Sequence, residues 1–355
     1  MKRLSFILRI ILVLNVLAVV ALAIAVSAQW VSPRVGWVPA FVGLGFPVIL
    51  VVNVLFVIFW LLVRKWWWLM SLVAILLGIV VFTNYVALRP FANNHIGEGY
   101  RILSYNVRNF DLYNWSHNEE SRNRIVGIVR DQEPDIVCFQ DFYHEAAGGF
   151  ITMEGLSEAF DLPYHRFGET LALRGTDRWG MAIFSRFPIV SSRFIHFEGT
   201  KLNGMLVADI QLDSLTVSVI NVHLQSLHFN PDELAAFDEG YRRSSWKIAR
   251  SLRYGFKKRA EQTRLVAEAI KQSEHPVIVC GDFNDTPVSY AYGTISNGLN
   301  DAFIKKGVGL GTTYAGSLPG LRIDYILMSK SFEILGFRRI KEGVSDHYPV
   351  VASFR

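Results

Sequence analysis

The stretch "PVIVCGDFND" at residues 276–285 joins an apolar run to a polar end. A run of β-branched side chains bounded by Gly, Asp and Asn is typical of a β-strand that ends in a turn. Because the run is apolar at consecutive positions, it predicts a strand whose sheet is covered on both faces. Asp282 and Asn284 then stand at the end of the strand, where a single Asp is most often a turn residue.

Strand-like runs of the same kind recur from about residue 101 to the C-terminus. They read "RILSYNV", "DIVCFQ", "MAIFSRFPIV", "LVADIQL", "LTVSVINVHL", "RIDYILM" and "YPVVASF". Helical patterns separate some of them, at Glu119–Asp131 and at Arg259–Gln272. This alternation predicts one α/β domain over about residues 101–355, with two packed sheets and helices outside them.

The first 89 residues have a different composition. They contain no Asp or Glu, and three long apolar runs fill them, at about residues 5–28, 37–63 and 68–88. Each run reaches the ~20 residues needed to cross a hydrocarbon core of about 30 Å. The sequence therefore predicts a membrane anchor of about three transmembrane helices over residues 1–89, followed by a linker at 90–100.

The cations of this anchor predict its orientation. Five of them flank the ends that would share one side of the membrane: Lys2, Arg3, Arg9, Arg64 and Lys65. The opposite side has only Arg34 and Arg89. The positive-inside rule places the N-terminus in the cytoplasm and everything after about residue 90 outside it, as in an integral protein of a bacterial inner membrane.

The first apolar run has a second interpretation. "AVSA" before Gln29 resembles a signal-peptidase site after a basic start. A retained anchor is favoured because the run is long for a signal peptide. Cleavage would leave the other two spans as a hairpin, so the downstream domain lies on the same side in both cases.

The positive charge of the chain belongs mainly to the anchor. Seven of the 36 Lys and Arg residues lie in residues 1–89, and all 31 Asp and Glu residues lie beyond them. The domain after residue 90 is thus slightly acidic, and the overall pI of about 9.1 does not indicate a nucleic-acid-binding domain. The exception is a basic segment at about 227–258, where Ala249, Leu252 and Phe256 have helical spacing. It is either a solvated helix face or a surface that meets anionic lipid or phosphate.

The two cysteines, Cys138 and Cys280, each lie in a strand-like apolar run. In an oxidising compartment they could pair, although sequence alone does not establish that they are close. The favoured role is that of small buried side chains.

Polar side chains stand at or near the ends of several strand-like runs. They are Asn106, Gln140, Asp141, Asn221, His223, Asp282, Asn284, Asp324, Asp346 and His347. Four carboxylates brought together would repel one another unless a divalent cation neutralised them, and hard oxygen ligands suit Mg²⁺, Ca²⁺ or Mn²⁺. Two imidazoles beside such a cation suit the cleavage of a phosphate ester.

The ordered segments that carry these residues also resemble a known family. "LSYNVR", "PDIVCFQD", "GMAIFSRFPI", "NVHLQS", "GDFND", "RIDYIL" and "SDHYPV" follow one another over residues 101–355. They resemble the endonuclease/exonuclease/phosphatase superfamily, which includes deoxyribonuclease I and neutral sphingomyelinases. The resemblance implies a four-layer α/β/β/α sandwich with the site at one end of two facing sheets.

The resemblance also implies a role for each residue. The metal group is Asp141, Asn106 and Asp346, around a divalent cation that is Mg²⁺ first, with Mn²⁺ or Ca²⁺ as alternatives. The catalytic group is Asp282, His347, Asp324 and His223; Asp282 orients or deprotonates water, and His347 pairs with Asp324. The phosphate-binding group is Asn284, His223 and Asn221.

One position departs from the family pattern. Asp141 stands where the family has a Glu, and the missing methylene shortens the reach of the carboxylate by more than about 1 Å. Direct ligation of a cation is therefore less favourable at this position than at the others. A water-bridged contact or a shifted ion would compensate.

These features favour a membrane-anchored, divalent-metal-dependent hydrolase of phosphoester bonds, of the phosphodiesterase or nuclease-like type. Its partners would be the bilayer and a phosphoester, either nucleic acid or a phospholipid or its headgroup. One alternative is a lipid or headgroup phosphoesterase of the sphingomyelinase or inositol phosphatase type, which an anchor suits. The other is a non-catalytic membrane scaffold that reuses the fold.

Overall fold

The computed structural model describes residues 6–89, 96, 98–113, 120–146, 151–200, 202–226, 241–316 and 320–355. These residues form two compact units. The helical unit contains residues 6–85, 241–260 and 286–294, and the sandwich unit contains the remaining described residues.

The helical unit begins with five apolar helices. They are α1 (Phe6–Ser27), α2 (Val38–Leu44), α3 (Phe46–Leu62), α4 (Trp68–Leu77) and α5 (Ile79–Tyr85). By length and composition, α1 can cross a membrane alone. If the bent pair α2–α3 counts as one span and the bent pair α4–α5 as another, the described residues contain up to three spans. The first predicted span is therefore a single helix.

The second and third predicted spans, 37–63 and 68–88, are each broken into two helices. Between α2 and α3 the axis bends by 71°, and between α4 and α5 it bends by 60°. Gly45 lies at the first break and Gly78 at the second. Pro47 lies in the first turn of α3, where a missing N–H is tolerated but continuation of the preceding helix is not.

A polar network joins three of these apolar helices. Asn15 of α1 donates to Ser71 of α4 (2.6 Å), and Ser71 donates to Asn53 of α3 (3.0 Å). The indole N–H of Trp60 donates to Asn15 (2.9 Å), and all four side chains are fully buried. In apolar surroundings such satisfied bonds hold helices together in one register.

The sandwich unit contains twelve strands in two six-stranded sheets. The strands are β1 (Tyr100–Asn106), β2 (Ile136–Glu145), β3 (Tyr164–Leu173), β4 (Asp177–Ser185), β5 (Ile189–His196), β6 (Gly204–Leu212), β7 (Leu215–His223), β8 (Val277–Asp282), β9 (Leu299–Asp301), β10 (Asp324–Ser329), β11 (Ile334–Arg339) and β12 (Val350–Phe354). One sheet has the order β11-β12-β1-β2-β4-β3 and the other β5-β6-β7-β8-β10-β9.

Five further helices complete the described chain. They are α6 (Ser121–Arg130), α7 (Met153–Phe160), α8 (Tyr241–Gln272), α9 (Tyr290–Ile295) and α10 (Ala302–Lys306). The basic segment predicted at 227–258 and the helix predicted at Arg259–Gln272 are one continuous helix, α8, from residue 241 onward. Residues 227–240 of that prediction lie outside the described residues.

The two sheets pack face to face because successive side chains of a strand point to opposite faces. Ile136 and Cys138 of β2 share one buried core with Ile278 and Cys280 of β8. The intervening Val137 lies on the opposite face, in the core that includes residues of α6 and α7. This arrangement confirms the predicted sandwich with flanking helices.

The strand pairing brings the predicted polar residues into line. In the first sheet, parallel pairing sets Asn106 of β1 beside Gln140 of β2. In the second sheet, His223 of β7 pairs with Asp282 of β8, which in turn pairs with Asp324 of β10. Three chemically active side chains therefore occupy one row across adjacent strands.

Gly281 allows two of these strands to approach each other. Its φ is +135°, and a Cβ there would lie 2.0 Å from the carbonyl oxygen of Val222. We expect Gly281→Ala to lower the free energy of unfolding by at least about 3 kcal/mol, because backbone must move in addition to the φ strain. Chemical unfolding of the full chain in detergent measures this.

Gly298→Ala is the matched control for that prediction. Gly298 also has a positive φ (+84°), but no atom lies within 4 Å of the position its Cβ would take. The cost there is conformational strain alone, about 1 kcal/mol. Equal losses of stability at the two positions would show that the contact with Val222 is not what requires glycine.

Candidate active site

Asp282 lies at the centre of the polar cluster, at the end of β8. It is 1% exposed and accepts three hydrogen bonds. The backbone N–H of Asn284 donates at 2.8 Å and its side-chain amide at 3.0 Å, while the amide of Asn106 donates at 3.1 Å. These bonds fix the carboxylate between the two sheets.

The environment of Asp282 makes it a better base than a free carboxylate. Burial raises its pKa to about 6; the charges of His347 and His223 oppose this rise, and that of Asp324 adds to it. A carboxylate with a pKa just below neutrality is still ionised at neutral pH and accepts a proton readily. Asp282 is therefore suited to orient and deprotonate a water molecule.

His347 forms the closest acid–imidazole pair in the cluster. Its Nδ1 lies 3.0 Å from both carboxylate oxygens of Asp324, and both residues are buried. Its other nitrogen, Nε2, lies 3.7 Å from Oδ2 of Asp282. The Nδ1 contact fixes the ring, so that Nε2 is directed to the centre of the cluster.

The imidazole of His347 is held in its charged form. Burial alone would lower its pKa, but Asp324 and Asp282 outweigh burial and raise the pKa to about 10. A ring that is protonated at neutral pH donates from both nitrogens. His347 can therefore donate a proton or a hydrogen bond to a phosphoryl or leaving oxygen.

This raised pKa predicts how stability depends on pH. The folded pKa of about 10 exceeds the unfolded value of about 6.5, so the folded state holds an extra proton between them. The stabilisation is present in full below about pH 6.5 and is lost as pH rises through about 10. In chelated protein, we expect the difference in unfolding temperature between wild type and His347→Gln to shrink over this interval; a constant difference would contradict the assignment.

Asp141 lies beside His223 because β2 is irregular at this point. The β2–β4 register shifts between Phe139 and Phe142, and Asp141 has a φ of +43°. The resulting bulge directs the carboxylate to His223, with Oδ1 3.6 Å from Nδ1. Bulges commonly re-aim a side chain next to an active site.

His223 connects this carboxylate to Asp282. Its Nε2 lies 3.8 Å from Oδ2 of Asp282 and its side chain is buried. Among the described residues, its Nδ1 has no hydrogen-bond partner. A buried polar atom without a partner is costly, so a bound group at this point would satisfy it.

Asn106 and Asp346 complete the group. The amide of Asn106 lies 3.4 Å from Oδ2 of Asp141, in addition to its bond to Asp282. Ser345 donates to the carbonyl of Asn106 at 2.9 Å, and its Oγ is 3.3 Å from Oδ1 of Asp346. Asp346 is thus linked to Asn106 through Ser345.

Two of the predicted phosphate-binding residues, Asn284 and Asn221, make hydrogen bonds to other groups of the chain. The side-chain amide of Asn284 donates to the carbonyl of Leu224 (2.9 Å) and to Asp282, so its observed contacts position Asp282. Asn221 is fully buried and is not brought into the cluster. It donates to backbone carbonyls of Phe139 and Ala182 in the opposite sheet, which makes it a bridge between the sheets.

Arg108 was missed by the sequence interpretation. Its Nε lies 3.6 Å from Oδ2 of Asp346. It begins four consecutive residues, 108–111, with φ between +46° and +58°, a conformation that L-residues rarely adopt in succession. Such strain often accompanies a functional site. Its place two residues after Asn106, within "NVR", is the only signal that the sequence offered.

Tyr314 was also missed. Its ring packs edge-on against the ring of His347, with centroids 5.6 Å apart. Burial raises its pKa, and the charge of Asp346 adds to the effect. Tyr314 comes from a loop that forms an isolated bridge with His347, so no strand-end pattern marks it in the sequence.

Two sets of donors in the cluster can be tested for a metal ion. Asp282, Asp324 and His347 each offer an atom within 4.8 Å of the others. A ring whose pKa is about 10, however, has no free lone pair at neutral pH, and both of its nitrogens face carboxylates. Asp141, Asn106 and Asp346 offer the hard oxygens that Mg²⁺ or Mn²⁺ prefers. By the chemistry of its donors, the second set suits a divalent cation.

Comparison with known proteins identifies the fold and the family. The sequence model of the endonuclease/exonuclease/phosphatase family matches residues 103–347. The chain belongs to this family. Its members are hydrolases of phosphoester bonds. A second model, of a domain of unknown function, matches residues 8–85, and none of the curated proteins searched matches the chain.

Solved structures of the family have the same fold. An endonuclease/exonuclease/phosphatase from Beutenbergia cavernae is 18% identical over 73% of this chain and 72% of that chain, with a TM-score of 0.51. Humanized D. rerio TDP2 is 20% identical over 72% and 98%, also at 0.51. The Bacteroides thetaiotaomicron mannosyl-6-phosphatase Bt3783 is 20% identical over 72% and 99%, again at 0.51.

Proposed function

We propose that this protein is a divalent-metal-dependent hydrolase that attacks a phosphoester with water held by Asp282. The observation that carries the proposal is the placement of this buried carboxylate between two imidazoles, 3.7 Å from His347 and 3.8 Å from His223. A base flanked by one cationic ring and one further imidazole suits a reaction in which water is deprotonated while negative charge develops on phosphoryl oxygens.

Each of three side chains has a separate role in the proposed reaction. Asp282 orients water and takes its proton, and its three hydrogen bonds keep it in place. His347, held charged by Asp324, donates from Nε2 to a phosphoryl or leaving oxygen. His223 lies between Asp141 and Asp282, where it can contact a second phosphoryl oxygen.

Asp141, Asn106 and Asp346 would hold the divalent cation, Mg²⁺ being the first choice. When bound, the cation would neutralise charge on the phosphoryl group. Asp141 and Asp346 retain side-chain exposures of 25% and 30%, so solvent reaches both carboxylates. Asp282 is only 1% exposed and lies between the two imidazoles, and we assign it the base role.

The substrate class is the finer part of the proposal. The slightly acidic composition beyond residue 90 gives little general attraction for a polyanion, so we propose a phosphodiesterase or nuclease-like activity on short or single phosphoesters. A lipid or headgroup phosphoesterase is the second candidate, favoured by the candidate membrane helices. D. rerio TDP2 was solved with a single-strand DNA product and Bt3783 is a mannosyl-6-phosphatase, so both diester and monoester substrates belong in a test panel.

We also propose the arrangement of the whole chain: an anchor at 1–89, a linker at 90–100 and a catalytic domain at 101–355 outside the cytoplasm. It is supported by α1, which is long and apolar enough to span, and by the distribution of cations before residue 90. A reporter fused to the C-terminus should be active only outside the cytoplasm. Activity only inside would overturn the topology.

The activity itself is tested on the full chain in detergent with Mg²⁺ or Mn²⁺. The panel is an aryl phosphodiester, an aryl phosphomonoester, single-strand DNA, RNA, sphingomyelin and a phosphoinositide. We expect turnover on at least one, reduced at least about 10³-fold by Asp282→Ala, and unchanged by Asp131→Ala, which alters an exposed carboxylate of the sandwich unit. Turnover that Asp282→Ala retains would refute the site, and no turnover on the whole panel would favour the scaffold function.

A further inference from the structure

A surface of the sandwich unit forms where the chain leaves the apolar helices. Ala87 follows the last residue of α5 by two positions and pairs with Gly309 through two backbone hydrogen bonds, of 2.9 and 3.0 Å. Gly309 is therefore bonded to a residue that lies two positions after the last candidate span.

Three aliphatic side chains around this bridge are in contact with solvent. Leu88 is 72% exposed, Val308 47% and Leu310 50%. They lie on either side of the Ala87–Gly309 bridge, so they form one group rather than scattered surface residues. An exposed group of large apolar side chains marks a surface that another molecule or a membrane covers.

A groove with a cationic rim adjoins these side chains. It has a volume of about 450 Å³ and is lined by Phe303, Phe337 and Val308 together with Arg339 and Lys341. Arg339 is held by a hydrogen bond to the carbonyl of Thr312, and its guanidinium lies 5.9 Å from the ring centre of Tyr348. The groove therefore has apolar walls with two cationic side chains beside them.

The sequence of this surface contains no negative charge. Segments 86–89, 302–316 and 334–341 have no Asp or Glu, and they carry six cations: Arg89, Lys305, Lys306, Arg338, Arg339 and Lys341. The sandwich unit as a whole has more Asp and Glu than Lys and Arg, so the local excess of cations is specific to this surface. Aliphatic side chains flanked by Lys and Arg are the composition of an interfacial membrane-binding surface.

We propose that this surface, the 87–310 patch, binds the anionic phospholipids of the bilayer from which the chain emerges. Leu88, Val308 and Leu310 enter the headgroup region. Lys341 and Arg339 bind lipid phosphates at the rim of the groove. This inference goes beyond phosphoester hydrolysis and depends only on the membrane anchor.

The features of the patch select a lipid surface over a soluble anion. A small anion would account for the cations but not for the three exposed aliphatic side chains around the bridge. The closeness in sequence of Ala87 to the end of α5 provides the bilayer as a neighbour without a further partner. If a protein partner covered the patch instead, the depth of Leu310 in the bilayer would not depend on lipid composition.

The test uses the full chain in phosphatidylcholine vesicles, with and without phosphatidylglycerol. Leu310→Cys carries an environment-sensitive fluorophore, and nitroxide-labelled lipids quench it at headgroup depth. Leu215→Cys is the matched control, because Leu215 is 42% exposed at the start of β7. Cys138 and Cys280 are fully buried, so labelling is confined to the new cysteine.

We expect quenching at position 310, at least twofold stronger than at 215 and stronger with phosphatidylglycerol. Lys305→Gln and Lys341→Gln should each lower, by about fivefold, the ratio of molecules whose patch lies on the bilayer to molecules whose patch is in solvent, as read from the quenching at position 310. Flotation of the vesicles in a density gradient shows whether the chain is anchored. If the chain floats but position 310 is quenched no more than position 215, the lipid-binding patch is refuted and the anchor is not. Quenching that does not depend on phosphatidylglycerol overturns the anionic-lipid claim. A chain that fails to float overturns the anchor and the patch together, whereas turnover on the same sample reports the hydrolase separately.

Discussion

Replacing His347 by Gln is expected to reduce turnover at least about 10³-fold on whichever phosphoester the protein cleaves. Gln has no ionisable ring, so it cannot supply the positive charge that Asp324 maintains or donate a proton from the Nε2 position. The substrate should still bind, because other groups also contact it. The loss should therefore fall on kcat more than on KM.

His275→Gln is the matched control for this variant, because His275 lies in the turn before β8 and outside the cluster. It should retain wild-type turnover. Asp324→Asn should reproduce much of the His347 effect, since it removes the carboxylate that fixes and charges the ring. If His347→Gln keeps turnover within tenfold of wild type, His347 is not the acid of this reaction.

The second large effect is expected at Asp141. Asp141→Asn keeps the shape of the side chain but removes its charge, so we expect turnover to fall at least about 100-fold and half-saturating Mg²⁺ to rise by 10- to 100-fold. Titration of activity with Mg²⁺ and Mn²⁺ measures both. A metal requirement that Asp141→Asn leaves unchanged would remove Asp141 from the metal group.

The variant Asp141→Glu tests why Asp, and not Glu, occupies this position. The family pattern has Glu here, but the φ of +43° in the bulge favours a short polar residue such as Asp. We therefore expect Asp141→Glu to retain turnover within about tenfold while the unfolding temperature falls by a few degrees. A stabilised Glu variant would show that backbone conformation does not account for Asp at this position.

The class of fold was predictable because the strands of a covered sheet leave a clear pattern. Continuous apolar runs such as residues 277–280 end abruptly in Asp and Asn, and the structure has a strand there. Four strands were not predicted. β3 and β5 each have one buried residue, β11 contains a Gly and two Arg, and β9 has only three residues, so none resembles a covered strand.

The site was predictable as a set of residue types but not as a geometry. The ends of β7, β8 and β10 bring His223, Asp282 and Asp324 into one row only because the strands pair in one particular register. A shift of one residue would point every second side chain to the other face. Register depends on long-range pairing, which local pattern does not encode.

The contacts of Asn221 and Arg108 were not predictable from the sequence, for the same physical reason. Asn221 occupies a strand position that faces the other sheet, where its amide satisfies backbone carbonyls. Arg108 reaches Asp346 through a left-handed turn that propensity disfavours. Polar residues that bridge sheets and residues in strained turns are of the same residue types as catalytic or solvent-exposed residues. Only the packed structure separates them.

The dependence on a divalent cation tests the central claim most directly. The full chain is chelated, its turnover of the best substrate in the panel is measured, and Mg²⁺ is then restored, with His347→Gln treated in parallel. We predict that chelation removes at least about 99% of wild-type turnover and that Mg²⁺ restores it, while the variant stays inactive throughout. Wild-type turnover that persists in excess chelator would contradict the proposal of a metal-dependent phosphoester hydrolase.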